Sequence, residues 1–209
     1  SIFQEVMKAA EILSKEYDIK VEIYSVTSYN ELTREAQDLE RENLLNLDTT
    51  AKTPYIEKVL GSDEDNIIIS ATDYMKAYSE QLRPYIKGNF KALGTDGFGR
   101  SDSRANLRKF FEVDTNFIVY TTLAELAING KIDKKVALEA KNKYAIDTNK
   151  INPRTIDLNW NKELTYNGKE QLPTATVNNL VDGDKCEITV DGDKHKNVGT
   201  YEAKEIGRA

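Results

Sequence analysis

The chain has 209 residues, of which 39% are hydrophobic and 31% charged, and its formal net charge is −6. This length suits one domain or two small ones with a buried core, and the acidic balance argues against a nucleic-acid partner. No apolar run reaches the roughly 20 residues of a membrane-spanning helix, and the first residues are not typical of a signal peptide, so we expect no membrane association.

The first part of the chain predicts helices that alternate with strands. Apolar residues recur at helical spacing from Ile2 to Tyr17, and the alternation from Ile19 to Ile23 is typical of a strand with one wetter face. Ser28 and Glu31 form a capping box for a helix that runs toward Leu47. The next predicted elements are a strand at 66–70, a helix from 72 or 73 limited by Pro84, a strand at 90–93, and helices at about 103–112, 115–129 and 133–145.

This alternation predicts a three-layer α/β/α domain with a mostly parallel sheet over residues 1–154. Residues 155–209 differ, because short β-prone runs are separated there by Asx-Gly pairs that suit tight hairpin turns. The predicted strands of this small all-β segment are 164–166, 174–177, 186–190 and 199–203. We therefore predict two domains, 1–154 and 155–209.

A glycine-rich loop follows the strand at 90–93 and leads into a helix. Such a loop can hold an anion, because amides at a helix start point outward and arginines add positive charge. Its spacing is neither G-x-G-x-x-G nor a Walker motif, so it also fits a sharp connection whose glycines permit close domain packing. The candidate interface or anion-binding residues of this loop are Asp96, Gly97, Phe98, Gly99, Arg100, Ser101 and Arg104.

Several motifs resemble one enzyme family. The run LGTDGFGRSDSR at 93–104 with FFEVD at 110–114 is similar to a signature of the homodimeric pyruvate dehydrogenase decarboxylating component. Other matching stretches, in order, are SVTSYNEL at 25–32, TPY at 53–55, ATDYMK at 71–76, GKID at 130–133 and NPR at 152–154. The resemblance covers residues 1–154 and identifies them with the family's transketolase-type C-terminal domain.

The resemblance implies that the complete enzyme decarboxylates pyruvate on thiamine diphosphate with Mg²⁺. It also implies a cytoplasmic enzyme linked to glycolysis. Its implied partners are the remaining domains of the same component, a second copy in a homodimer, and the dihydrolipoyl acetyltransferase of the complex. The family's cofactor signature, G-D-G followed by N-N, has no counterpart here, and the run at 182–184 is a different motif. We therefore expect no catalytic, cofactor-binding or metal-binding residue in this chain, which should be inactive alone.

The resemblance further implies that a central strand of the sheet precedes Ser1. We expect the strands at 20–26 and 66–70 to flank an unfilled slot rather than to pair with each other. Unpaired backbone groups on both sides of such a slot would each cost about 1–3 kcal/mol if buried. Our hypothesis is that another polypeptide segment, or a further stretch of the same polypeptide, fills it.

The tail resembles a different class of protein. The runs TYNGKEQ at 165–171, PTA at 173–175 and NVGTY at 197–201 are similar to Ig-like repeats of bacterial surface proteins, in a partial repeat at about 157–205. The repeat resemblance implies a cell-surface spacer or an adhesive module. Three function hypotheses follow: a non-catalytic dimer-supporting domain, a binding or display protein (or hybrid) that works through its tail, and an anion-binding domain.

Isolated reactive side chains add little to these hypotheses. The single cysteine, Cys186, excludes an internal disulfide and is predicted to be an inert strand residue. The single histidine, His195, cannot form a histidine-based metal cluster. Acidic turns at 182–184 and 191–193 lack the spacing of an EF-hand, so we expect hairpin turns and not a calcium site.

Overall fold

The computed structural model describes residues 1–97, 99–155, 158–161, 164–178, 188–192, 194–197, 199 and 204–206. Its contacts divide the chain into two compact units. The first comprises Ser1–Asp96 and Ser103–Thr148, and the second comprises Gly97–Asp102 and Asn149–Ala209. The domain division after Arg154 stays a prediction. Across the described residues, no helix has both the length and the apolar character to cross a membrane.

The first unit is mixed α/β. Its elements are α1 (Ile2–Tyr17), α2 (Tyr29–Leu45), α3 (Tyr55–Leu60), β1 (Ile67–Ala71), α4 (Ala77–Glu80), a 3₁₀ turn (Arg83–Tyr85), β2 (Asn89–Leu93), α5 (Arg104–Phe110), α6 (Thr115–Ile128) and α7 (Lys134–Lys143). The two strands pair in parallel, with Ile67 opposite Asn89 and Ala71 opposite Leu93. The parallel sheet is confirmed, at two strands in the described residues.

Helices cover both faces of this sheet. Because side chains alternate along a strand, Ile69 and Ala71 join one hydrophobic cluster and Ile68 joins another. The first cluster lies under α1, α6 and α7, and its most deeply buried side chains are Val113, Val119 and Leu123. The second contains Phe90 and Ala92 of β2 with residues of α2, α3 and the segment around the 3₁₀ turn, including Leu32, Ile56, Leu82 and Ile86. Helices therefore pack on both faces of the small parallel sheet in the described first unit, which is mixed α/β.

Local capping signals explain where the helices begin. Ser28 Oγ accepts the amide of Glu31 at 3.2 Å, and Asp114 Oδ1 accepts that of Phe117 at 2.8 Å. Only half of the predicted capping box forms, because the Glu31 carboxylate lies 2.9 Å from Arg34 one turn later. An opposite charge on the same helix face competes with the reach back to the cap amide.

The strand predicted at 20–26 is wrong for the described chain, where these residues have no strand assignment. Ile19 and Ile23 are half-buried, whereas Val21, Tyr24 and Val26 are exposed. A strand requires a neighbour that supplies ladder hydrogen bonds, and the described pairing of β1 is with β2. Residues 20–26 and β1 are therefore not paired with each other, as the slot hypothesis requires.

The helix predicted from residue 72 or 73 begins only at Ala77. The preceding residues form a turn in which Tyr74 donates its amide to Thr72 Oγ1 at 3.1 Å and accepts the amide of Thr95 at 2.9 Å. Asp73 does not cap a helix that follows it in the chain, because its carboxylate binds other elements, among them the first amide of α1. Tertiary hydrogen bonds thus override the local helix signal.

The second unit contains short antiparallel strand pairs. β3 (Leu158–Trp160) pairs with β4 (Ala175–Val177), and β5 (Thr189–Asp191) pairs with β6 (Lys204–Ile206). The prediction at 174–177 is confirmed, and 189–190 of the strand predicted at 186–190 is confirmed as part of β5. Residues 164–166 and Gly199 are not strand, and residues 186–187 and 200–203 lie outside the described residues. Gly168 has φ 74°, which suits the predicted Asx-Gly turn.

Candidate functional site at the carboxyl end of the sheet

A buried arginine lies beyond the carboxyl end of β1. Arg108 on α5 is 8% exposed. Its Nη1 donates to Glu5 Oε1 at 3.0 Å, and its Nε and Nη2 donate to Asp73 Oδ1 and Oδ2 at 3.3 and 3.2 Å. The planar guanidinium thus binds Asp73 with two parallel hydrogen bonds and Glu5 with a third.

Both carboxylates also bind other elements. The second oxygen of Glu5 accepts the Thr115 amide at 3.1 Å and the Thr115 hydroxyl at 2.5 Å, at the start of α6. Asp73 Oδ2 accepts the Ile2 amide at 3.0 Å, at the start of α1. We call Glu5, Asp73, Arg108 and Thr115 the arginine network. It joins α1, α5, α6 and the turn after β1.

The charges in the arginine network stabilise one another. Burial disfavours the ionised form of Glu5, but hydrogen bonds from Thr115 and the charge of Arg108 outweigh it, so the pKa of Glu5 lies below its ordinary value. Burial likewise opposes the charged form of Arg108, yet its hydrogen bonds to Asp73 and the charge of Glu5 raise the pKa of Arg108. The directions of these shifts indicate that Glu5 and Arg108 stay ionised at neutral pH.

The turn after β1 packs closely against the residues that follow β2. Lys76 donates its amide to Asp96 Oδ2 at 3.3 Å, and Thr95 Oγ1 donates to the carbonyl of Asp73 at 3.3 Å. A Cβ placed on Gly94 would lie 2.6 Å from the Tyr74 carbonyl oxygen and 2.9 Å from the Lys76 nitrogen. Gly94 is therefore required for this close approach of two backbones.

The predicted glycine-rich loop is divided between the two units. Asp96 and Arg104 belong to the first, whereas Gly97, Gly99, Arg100 and Ser101 are grouped with the second, and Phe98 lies outside the described residues. Asp96 Oδ2 accepts the Lys76 amide. The start of α5 is capped, because Ser103 Oγ accepts the Asn106 amide at 3.3 Å. Part of the loop thus connects and caps elements, and anion binding by the loop stays a prediction.

Candidate metal ligands do not form a cluster in the described part of the chain. No group of three or more His, Cys, Asp or Glu residues there is arranged to hold a metal ion. Every buried side-chain nitrogen or oxygen of the described residues has a hydrogen-bond partner. His195 pairs with Gln171 through backbone hydrogen bonds of 3.0 Å, and Cys186 lies outside the described residues.

Comparison with known proteins decides the family. Residues 1–114 match the family described as the transketolase-like TK C-terminal domain, and this match includes Glu5, Asp73 and Arg108 of the arginine network. The chain belongs to this family. The match covers more than half of the 209 residues, and the layered α/β structure is consistent with it.

Pyruvate dehydrogenase E1 components are similar to this transketolase-like domain over a longer stretch. The E1 component of Escherichia coli (strain K12) is 50% identical over 155 residues, which are 74% of this chain and 17% of that protein. The E1 component of Buchnera aphidicola subsp. Baizongia pistaciae is also 50% identical over 155 residues, and that of Pseudomonas aeruginosa is 46% identical over 154. The chain spans 17% of the length of each of these relatives.

The predicted resemblance to the E1 component is therefore confirmed at the level of homology. The comparisons give no support to the Ig-like resemblance of the tail. Sequence reasoning did not single out the arginine network, although Arg108 lies between the two parts of the signature. The sequence did contain a signal for a buried charge. Arg108 follows Leu107 and precedes Phe110 and Phe111, and these three apolar residues are all partly buried.

Proposed function

We propose that the chain is the C-terminal domain of a pyruvate dehydrogenase E1 component and acts as a non-catalytic domain that supports its dimer. The observation that carries this proposal is the arginine network at the carboxyl end of the sheet. Each charged side chain there is bound to another part of the same domain. Such a cluster fixes helices in place, and its charged groups are engaged in holding the domain together.

In this role the remaining domains of the enzyme, and not this one, carry out the chemistry. Thiamine diphosphate and Mg²⁺ serve the complete E1 component, and the domain's partners are the remaining domains and a second copy in a cytoplasmic homodimer. The dihydrolipoyl acetyltransferase is the partner of the assembled complex. In this role the domain packs against the remaining domains and holds them in position. Its two hydrophobic clusters stabilise the fold that does so.

We further propose that a strand from elsewhere in the enzyme pairs with β1. The contact between the Ile2 amide and Asp73 sets the start of α1 at the carboxyl end of β1. A strand that preceded α1 would therefore end beside the carboxyl end of β1 and run parallel to it. Residues 20–26, which keep strand-like alternation without a ladder partner in the described chain, would then lie on its other side.

Calorimetric titration of the 209-residue chain tests the non-catalytic role. We expect no binding of thiamine diphosphate with Mg²⁺, of pyruvate or of inorganic phosphate at ligand concentrations up to about 1 mM, a limit near −4 kcal/mol. Saturable binding of thiamine diphosphate or pyruvate would contradict the proposal. Phosphate binding that the double variant Arg100→Ala, Arg104→Ala removes would instead support the anion-binding loop.

We propose separately that the tail is an Ig-like segment and is the interaction module of a binding or display protein. Its support is the motif resemblance and the short antiparallel strand pairs. Deletion of residues 155–209 tests it in a pull-down with an E1 component and its acetyltransferase. Unchanged association after the deletion would remove the tail from the interaction.

A further inference from the structure

The start of α1 and the turn after β1 expose apolar side chains. Phe3 and Met7 lie one helical turn apart on α1 and are 42% and 48% exposed. Tyr74 and Met75 follow Asp73 in the turn and are 56% and 42% exposed. We call Phe3, Met7, Tyr74 and Met75 the α1 patch.

One hydrogen bond holds the two parts of the α1 patch together. The Ile2 amide donates to Asp73 Oδ2 at 3.0 Å, so the residues next to each partner, Phe3 and Tyr74, lie at the same end of the sheet. The turn itself is fixed by Thr95 and Gly94. The α1 patch therefore stands on a rigid base, which lowers the entropic cost of docking.

The composition of the α1 patch is that of an interface. The chain has only two methionines, and both lie in the patch beside two aromatic residues. Methionine and aromatic residues are enriched at the cores of protein interfaces, because they bury a large apolar area and adapt to the opposing surface. The exposed leucines at and beyond the end of α2, Leu44, Leu45 and Leu47, include neither a methionine nor an aromatic residue.

We propose that the α1 patch is the docking surface for the polypeptide that precedes Ser1 in an E1-type enzyme, an inference that rests on the proposed function. The E1 relatives are far longer than this chain, which spans 17% of their length. A segment joined at Ser1 is tethered two residues from Phe3, so its effective concentration at the patch is high. Other exposed apolar residues, such as Leu47 beyond the end of α2, lack this proximity in sequence to Ser1.

The rate of methionine oxidation measures the burial of the α1 patch without a substitution in it. In a chimera, the complete 209-residue chain replaces the matched 155 residues of the Escherichia coli E1 component. Both the chimera and the isolated chain are treated with dilute hydrogen peroxide, and the oxidation rates of Met7 and Met75 are read by mass spectrometry. Oxidation follows the exposure of the sulfur, so we expect at least about tenfold slower oxidation of both methionines in the chimera.

The matched control is Leu47→Met, carried by both proteins, because this position is exposed and lies outside the α1 patch. The methionine introduced by this control should oxidise at the same rate in the chimera and in the isolated chain. An active chimera in which Met7 and Met75 oxidise as fast as in the isolated chain would overturn the docking surface and leave the proposed function standing. A chimera without decarboxylase activity would overturn the proposed function, and the docking surface with it.

Discussion

Arg108 and Glu5 are 103 positions apart in the chain, and their side chains meet at 3.0 Å beside the carboxyl end of β1. The Arg108 side chain is 9% exposed and the Glu5 side chain 17%, so water screens this pair much less than a surface pair. The contact joins α5 to α1 and is extended by Asp73 and Thr115 to two further elements. These polar contacts therefore link α1 and α6, two of the helices that also cover the first hydrophobic cluster.

Arg108→Met should destabilise the chain strongly. The substitution keeps much of the apolar stem but leaves Glu5 and Asp73 without their cation, and loss of one partner of a buried ion pair costs about 3–5 kcal/mol. Because Asp73 is 48% exposed, we expect the lower part of this range, about 3 kcal/mol, in the free energy of unfolding by urea. Arg104→Met is the control on the same helix, and a comparable loss there would contradict the role assigned to Arg108.

Acid should weaken the fold through Glu5. The pKa of Glu5 is lower in the folded chain than its ordinary value of 4.5. A lowered folded-state pKa gives stability that is complete above the unfolded value and is lost as the pH falls through the folded value. The unfolding free energy should therefore decrease below about pH 4.5, and Glu5→Gln should make this decrease shallower. Equal slopes for the wild type and Glu5→Gln would refute the assignment.

Gly94→Ala should destabilise the turn after β1. The added Cβ would lie 2.6 Å from the Tyr74 carbonyl oxygen, and both groups belong to backbone that packing holds in place. Overpacking of this kind costs about 1–3 kcal/mol, which thermal unfolding monitored by circular dichroism can detect. Gly99→Ala is the matched control, because a Cβ there would meet no atom within 4 Å. If both substitutions have equal effects, the close approach at Gly94 is not the reason for that glycine.

Ser28→Ala should remove the cap of α2. The hydroxyl accepts the Glu31 amide at 3.2 Å, and loss of such a cap costs about 1 kcal/mol of folding stability. Chemical denaturation measures this loss. Ser25→Ala is the comparison, because Ser25 is exposed and has no hydrogen bond among the described residues. A loss for Ser25→Ala as large as that for Ser28→Ala would mean that the cap contributes nothing specific.

Helix positions in the first unit could be predicted because their signals are local. The spacing from Ile2 to Tyr17 and the cap at Ser28 act within one or two turns, and the structure places a helix at each of them. The parallel strands were also predictable from the β-branched run that β1 contains. Such features depend on a few neighbouring residues.

Tertiary features were harder to predict. The alternation from Ile19 to Ile23 is that of a strand, but a strand forms only where another supplies hydrogen bonds, and sequence alone did not provide that partner. Asp73 has the residue type of a helix cap and instead binds Arg108, which lies 35 positions later. The arginine network was missed for the same reason, since Glu5 and Arg108 are brought together only by the folded sheet and helices.

The steady-state rate of pyruvate decarboxylation by the chimera tests the central claim most directly. The comparison is an Escherichia coli E1 component from which the matched 155 residues have been removed. If this chain is an E1-type C-terminal domain, the chimera should decarboxylate pyruvate with thiamine diphosphate and Mg²⁺, and the truncated enzyme should not. Equal rates for the two proteins, at any level of activity, would contradict the claim that this domain supports the enzyme.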